Sequence, residues 1–413
     1  MTQRTFLGFL SAAPLTTRLD ASILFATVPP HVAVIGAGSF GSWTALQLHR
    51  MGARVTLIDA WGPGNLRSSS GGDTRVIRAV YGRDRIYVEM VKRAFELWLE
   101  LDASVEESLY VETGALWMNH GDDGYVRSSL PILEELGFPA DEITPSEAAR
   151  RYPQIRLEGI KSLWMERRAG VLSARRACMA VRDLFAKSGG TYRTANVEPG
   201  EISGSAMSSV RLSDGTILAA DFFVFACGPW LGKLFPSLPG DLIRPTRQEV
   251  HYFGVPGGSS RYGPEQLPVW IDFGERVIYG IPDVHGRGFK LADDTRGEWI
   301  DPTSADRLPS SCSIARARAF LAGRFPELAD APLLESRVCQ YENSPDGQLI
   351  IDRHPEAENV WLAGGGSGHG FKLGPAVGEI TAECIVSGVS APEPFRLARF
   401  RREIRASTQF ESR

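Results

Sequence analysis

The chain has 413 residues, 43% hydrophobic and 23% charged, with a formal net charge of −4. That length buries a large core and accommodates two domains, while the slightly acidic balance excludes a basic nucleic-acid footprint. No apolar run reaches the length of a membrane span. The five cysteines (Cys178, Cys227, Cys312, Cys339, Cys384) are scattered, with no Cys-x-x-Cys pair, so neither a disulfide framework nor a zinc site is indicated.

Residues 1–30 form an extension ahead of the first strand. Gln3-Arg4-Thr5-Phe6-Leu7, followed by Gly8-Phe9-Leu10-Ser11-Ala12-Ala13, has the order of a twin-arginine export signal, with Gln3 in place of one arginine and no clear cleavage site. A frayed extension or a mis-assigned start is the other reading, and the two stand level. The expected location is the cytoplasm, or the periplasm if this segment acts as a signal.

Val32-Ala33-Val34-Ile35 then runs as a short apolar strand into Gly36-Ala37-Gly38-Ser39-Phe40-Gly41. In a Gly-x-Gly-x-x-Gly turn Gly36 permits the tight bend, Gly38 lets backbone approach a pyrophosphate, and Gly41 lets the following helix pack close. A diphosphate at the N-terminus of that helix meets unpaired N–H groups and the positive end of the dipole. Phe40, Trp43, Leu46, Leu48 and Met51 continue at broadly helical spacing, Gly52 ends the helix, and Arg54 to Asp59 is a second strand. Asp59 lies where a carboxylate binds a ribose hydroxyl pair. An ordinary βαβ unit with a glycine turn is the plainer alternative.

A Gly/Ser-rich loop spans 61–72, and a helix is expected over about 86–101. Residues 109–118 read as one strand, 130–136 as a helix, 146–153 as a short capped helix ended by Pro153, and 174–187 as a further helix. Val210-Arg211-Leu212 and Thr216-Ile217-Leu218 flank Ser213-Asp214-Gly215 as a hairpin. The continuous apolar run Phe222-Phe223-Val224-Phe225 is a strand buried on both faces, as in a parallel sheet, and it ends in a second small-residue turn at Cys227-Gly228. Alternating strands dominate 248–291, a helix is expected over about 314–323, and 335–351 is strand-rich. Val360-Trp361-Leu362-Ala363-Gly364 repeats the strand-to-glycine theme, with a helix from near Pro375. Three such turns spread along the chain imply an α/β protein in which one nucleotide-binding domain is assembled from separated segments. An antiparallel-sheet domain is laid against it. A nicotinamide enzyme confines its cofactor to one contiguous region, whereas a flavin enzyme of this kind does not.

These pieces resemble the flavin amine oxidases of the D-amino-acid-oxidase superfamily, nearest to the branch of monomeric sarcosine and N-methyltryptophan oxidases. The resemblance runs from Val32 to about Val389 through six stretches in family order. They are the glycine loop with Asp59; Gly72-Asp73-Thr74-Arg75-Val76-Ile77-Arg78 with Tyr81-Gly82; Tyr279-Gly280-Ile281-Pro282; Gly288-Phe289-Lys290-Leu291; Val338-Cys339-Gln340-Tyr341; and Ser367-Gly368-His369-Gly370-Phe371-Lys372. The implied fold is an FAD-binding Rossmann-like domain of the glutathione-reductase type, over 31–110, 170–243 and 345–395, with a substrate domain over 111–169 and 244–344 and a tail over 396–413.

The resemblance implies that FAD is held by Gly36, Ala37, Gly38, Ser39, Phe40, Gly41 and Asp59, with Ser70, Thr74, Val197, Cys227, Gly228, Gly368, Gly370 and Lys372. It implies covalent attachment through the 8α carbon to Cys339, where a thiolate is a strong nucleophile; a buried structural cysteine is the alternative. Arg78 and Lys372 would clamp a substrate carboxylate, with ordinary ion-pairing cations as the alternative. Lys290 would activate O2 through its charge, against a solvated strand lysine. Arg75 would sit beside the flavin. His369 either acts on flavin or substrate or is simply satisfied within its glycine turn. Tyr279, Tyr341 and Trp270 would line the substrate cavity. Ser70 and Gly71 stand where sarcosine oxidases carry two histidines, and Asp294 where they carry another, so the cavity has changed character and sarcosine itself is disfavoured. The implied activity is oxidation of a secondary or primary amino acid, with hydride passing to flavin N5, imine hydrolysis, and O2 reduced to H2O2. The implied partners are a small-molecule amino acid and O2, for a monomer without metal, nucleic acid or membrane span. A flavin dehydrogenase with another acceptor and a non-catalytic flavin-binding subunit are the alternatives.

Overall fold

Apolar runs too short for helices and flanked by glycine turns assemble into one sheet. In the computed structural model, which describes residues 28–238, 242–401 and 406–410, His31–Ile35 lies at the sheet's centre. It pairs in parallel with Phe222–Phe225 on one side and Arg54–Asp59 on the other. Ala357–Gly364 extends the sheet beyond Phe222–Phe225, and Thr191–Thr194 beyond Arg54–Asp59, again in parallel. Ile350–His354 closes the outer edge as an antiparallel hairpin, giving six strands. The central strand is buried along its whole length, which is why it reads as unbroken Val/Ile rather than alternating residues.

Helix Ser39–Arg50 covers this sheet and is buried from Ser39 to Leu48. Helix Gly374–Ser387 packs across it, closely enough that a Cβ at Gly378 would lie 2.6 Å from the carbonyl carbon of Trp43. The α/β fold is therefore held by residues from both ends of the chain.

A second sheet of eight strands runs in the order Leu333–Asn343, Arg244–Phe253, Phe289–Asp293, Val277–Ile281, Val269–Phe273, Ala115–Asn119, Ser162–Glu166, Ala140–Ile143. Its pairings are antiparallel except that of Val269–Phe273 with Ala115–Asn119. A three-stranded sheet of Thr74–Ile77, Gly170–Ser173 and Tyr110–Glu112 completes the main architecture.

Several boundaries differ from the sequence reading. The single strand expected over 109–118 divides at Gly114, whose φ of 70° turns the chain, and the two halves join different sheets. The helix expected from Leu130 begins at Gly124, because Tyr125, Val126, Ser129 and Leu133 form one buried face; Asp122-Asp123-Gly124 had the composition of a loop. Helix Ser311–Arg324 starts earlier than expected, capped where the Ser310 side chain accepts from the Ser313 amide. Strand Arg54–Asp59 and helix Ala174–Lys187 fall where expected. The export-like stretch lies outside the described residues. Among the described residues no helix is long and apolar enough to cross a membrane.

Candidate active site

The three glycine turns meet at one edge of the parallel sheet. Gly36, Gly38, Ser39 and Phe40 from the first, Cys227 and Gly228 from the second, and Gly368 and Gly370 from the third line one long cleft, together with Asp59, Ser70 and Val197. The first turn is shaped by close approach. Gly36 has a φ of 104°, and a Cβ there would lie 2.3 Å from the Ala226 carbonyl oxygen. A Cβ at Gly41 would lie 1.8 Å from the Gly36 carbonyl oxygen, so the helix approaches the strand only because that atom is missing.

Asp59 ends its strand with both oxygens engaged. Oδ2 accepts from the Ala37 amide at 2.7 Å, and Oδ1 from the Trp61 and Gly62 amides at 2.8 Å each. Ala37 and Gly41 therefore shape the turn from behind rather than line the cleft. The rings of Trp61 and Trp230, 5.0 Å apart, stand at the Asp59 end. Ser70 accepts from the Ser39 amide at 3.0 Å.

The cleft fits a dinucleotide by a second observation. Glu342 Oε1 accepts from the Gly366 amide, whereas Oε2 is buried with no hydrogen-bond partner among the described residues, and burial pushes the carboxyl up to about 7. Glu342 lines the cleft. A buried orphan acceptor calls for a donor from a ligand, such as a hydroxyl of the cofactor's polyol chain.

A second chamber opens beside the first, and the two share Arg75, Gly368 and Phe371. Arg78, Tyr279, Asp294, His369 and Lys372 line it, with Trp117, Ile271, Val277, Gln409 and Phe410. Arg78 is 6% exposed. It donates to the Val80 carbonyl and, at 2.8 Å, to Gln409 Oε1, and its guanidinium lies 5.0 Å from the Tyr81 ring and 5.2 Å from that of Trp117. Lys372 donates to the His369 carbonyl at 3.0 Å, and burial together with Arg78 holds its ammonium well below the usual lysine range. His369 faces the Tyr81 hydroxyl through Nδ1 (3.0 Å) and the Gly347 carbonyl through Nε2 (3.1 Å). A carbonyl only accepts, so Nε2 carries the proton and Nδ1 accepts from Tyr81.

Lys290 is 1% exposed and donates to the Thr74 carbonyl at 2.8 Å. Arg75 shares that carbonyl and also donates to those of Ser69 and Gly71. Burial, and then the neighbouring guanidinium, bring Lys290 down to about 7. Cys339 shares with Tyr341 one face of strand Leu333–Asn343 and, like Tyr279, packs against the buried cluster of Val250, Tyr252 and Ala292. Tyr341 reaches the cleft and donates to Asp294 Oδ1.

Trp270 does not reach the chamber. Its ring is fully buried on the opposite side of the sheet, stacked on Phe289 and Phe320. Strand residues alternate sides, so the wall position belongs to Ile271. Sequence reading also missed Glu342, one residue past a quoted stretch. It missed Gln409 and Phe410, which lie beyond the resemblance and carry no pattern of their own.

A parallel sheet with its glycine turns gathered at one edge, and a cationic chamber opening from that cleft, define a dinucleotide-dependent α/β oxidoreductase. Residues 31–384 match the family model described as DAO, FAD dependent oxidoreductase, and the chain belongs to this family. It is 32% identical to the monomeric sarcosine oxidase of Bacillus sp. (strain B-0618), over 86% of this chain and 92% of that one. It is 29% identical to the N-methyl-L-tryptophan oxidase of Salmonella enteritidis PT4, over 89% and 98%. The solved L-proline dehydrogenase from P. horikoshii shares the fold, with a TM-score of 0.78 at 23% identity over 90% of this chain and 98% of that one. The protein is thus an FAD-dependent oxidoreductase acting on CH–NH bonds.

Proposed function

We propose that the protein oxidises a secondary or primary amino acid and passes the electrons to O2, yielding an imine that hydrolyses and H2O2. The observation that carries this reading is the pair of buried cations, Arg78 and Lys372, lining a largely apolar chamber that shares a wall with the cofactor cleft. FAD, when bound, supplies the hydride acceptor. Arg78 and Lys372 bind the substrate carboxylate and so fix which carbon faces the cofactor. Such positioning contributes several kcal/mol to a reaction of this kind. Trp117, Ile271 and Phe371 exclude water from the reacting carbon. Lys290 holds a cation where O2 acquires its first negative charge, and Arg75, anchored by three carbonyls, keeps a second one near.

The proposal includes covalent attachment of FAD through Cys339. It also includes division of the chain into a cofactor domain (31–110, 170–243, 345–395) and a substrate domain (111–169, 244–344), supported by which strands join which sheet. The name of the Bacillus relative supports a monomer. His369, held by Tyr81 and Gly347, acts as a support for the Lys372 turn rather than as an acid or base.

Lys372→Ala tests the clamp. Loss of one partner from a desolvated charge pair costs about 2–5 kcal/mol, so the variant should lose the best amino-acid substrate far more than its decarboxylated amine. Equal losses for both would remove the clamp. Peroxide formed by the purified protein without an added acceptor tests the role of O2.

A further inference from the structure

The second chamber contains a charge pattern that the carboxylate clamp leaves unexplained. Behind Arg78 stands Glu166, fully buried and accepting from the Ala79 amide and from Trp117 Nε1 at 3.4 Å. Across the chamber stands Asp294. Arg75 also lines this largely apolar chamber, and with Arg78 and Lys372 given to the substrate carboxylate, Asp294 is left facing the rest of an amino acid. A buried carboxylate in such surroundings calls for a cationic or N–H-bearing partner.

Gln409 shows what kind of group Asp294 takes. Its Oε1 accepts from Arg78 at 2.8 Å, and its Nε2 donates to Asp294 Oδ2 at 3.1 Å. Arginine has no acceptor, so the oxygen must face Arg78 and the nitrogen must face the carboxylate. An amino acid presents the same order, an acceptor group toward Arg78 and an N–H donor a short distance away toward Asp294. We propose that Asp294 binds the ammonium of the substrate and accepts its proton, in the place held here by the Gln409 carboxamide. In that step one ammonium N–H bond breaks, an O–H bond forms on Asp294, and the electron pair stays on nitrogen. An ammonium and a carboxylate become a neutral amine and a carboxylic acid, and no oxidant is consumed. The amine then has the free pair that must enter the imine bond as hydride departs.

The surroundings suit a group that changes charge. Tyr341 donates to Oδ1, and Tyr279, Arg78 and Lys372 face Asp294 from three other segments. The adjacent Asp293 is paired with Arg276. Burial raises the Asp294 carboxyl to about 6, within range of a proton in transit at neutral pH.

The inference rests on the amino-acid-oxidase reading, and the experiment separates the two. Anaerobic bleaching of the holoenzyme by its best amino acid is followed from about pH 7 to about pH 9 in the wild type and in Asp294→Asn. The wild type should vary little. The variant, able to use only the free amine, should lose efficiency about tenfold for each pH unit below the substrate's amine pKa. Parallel profiles would overturn this inference alone, while absence of bleaching by any amino acid would overturn the oxidase reading and this inference with it. Should the variant fail to fold, proton uptake by the wild type decides. A carboxylate without nitrogen should take up about one proton more on binding than an α,α-dialkyl amino acid, which has no α-hydrogen to lose. Equal uptake by the two ligands would overturn the proposal.

Discussion

A lysine ammonium enclosed beside a guanidinium, as Lys290 is beside Arg75, holds its proton weakly, and this has two measurable consequences. The first concerns stability. Lys290 falls from 10.5 to about 7, through burial first and Arg75 second. Between those values the unfolded chain binds a proton that the folded chain does not, so this residue's contribution improves as pH rises from about 7 to 10.5. Below about 7 its penalty is fully present. Lys290→Met should therefore stabilise the cofactor-free protein at pH 7 by roughly 3–5 kcal/mol, shrinking toward zero near pH 10.5. Denaturant unfolding of both proteins at pH 7 and pH 9.5 measures the change, and a gap that widens with pH would contradict the assignment. The second concerns catalysis. Removing a preorganised cation from a developing anion costs roughly 3 kcal/mol, so the reduced holoenzyme of the variant should react with O2 on the order of 10²-fold more slowly. Anaerobic reduction by substrate should change much less. Cys339 makes an equally local prediction. Acid precipitation should leave the yellow colour with the protein pellet, and Cys339→Ala should release it to the supernatant. Free FAD from the unmutated protein would refute the linkage.

At the scale of elements, two glycines on neighbouring helices separate cofactor binding from packing. A Cβ at Gly41 would strike the Gly36 carbonyl, inside the turn that faces the cofactor, whereas a Cβ at Gly378 would strike the backbone of Trp43, and neither Gly378 nor Trp43 lines the cleft. Backbone cannot yield as a flexible side chain can, so each alanine should cost about 1–3 kcal/mol or more. Gly41→Ala should also lose FAD, while Gly378→Ala should lower the melting temperature and retain its cofactor. Flavin absorbance per mole of protein, read alongside a thermal melt, distinguishes them. Equal FAD loss in both variants would mean that helix packing rather than turn geometry sets affinity. The division of the expected 109–118 strand belongs to the same scale. Gly114 sends its two halves into different sheets, one of which carries Trp117 to the chamber wall.

For the whole molecule, the cofactor cleft is the meeting point of segments hundreds of positions apart in the chain. Ser39, for example, donates through Oγ to the Phe371 carbonyl, 332 residues away. A ligand that binds only when these segments are assembled stabilises the assembly. At a concentration 100 times its dissociation constant the gain is about 2.7 kcal/mol. Cofactor-free Cys339→Ala protein should therefore melt below the same protein supplied with FAD, by an amount that grows with FAD concentration. An unchanged melting temperature would mean that FAD does not join the segments.

The sequence by itself determined the features that are local in the chain. Val32–Ile35, Phe222–Phe225 and the Gly36–Gly41 turn announce a buried parallel strand and a phosphate loop, because periodicity and glycine spacing are properties of neighbours along a chain. Resemblance carried the reading further, to Arg78 and Lys372, which line one chamber beside the cleft, and to Lys290, which lies buried against the Thr74 carbonyl. What only the tertiary structure decided depends on which side of a strand a residue faces and on distant partners. Trp270 and Ile271 are adjacent and both apolar, and only the register of Val269–Phe273 within its sheet turns Ile271 toward the chamber. The third glycine turn satisfies one Glu342 oxygen and leaves the other without a partner among the described residues. Gln409 meets Arg78 across 331 residues. No pattern in a linear sequence encodes such an encounter, because it arises when the chain's last segment comes to rest on the chamber.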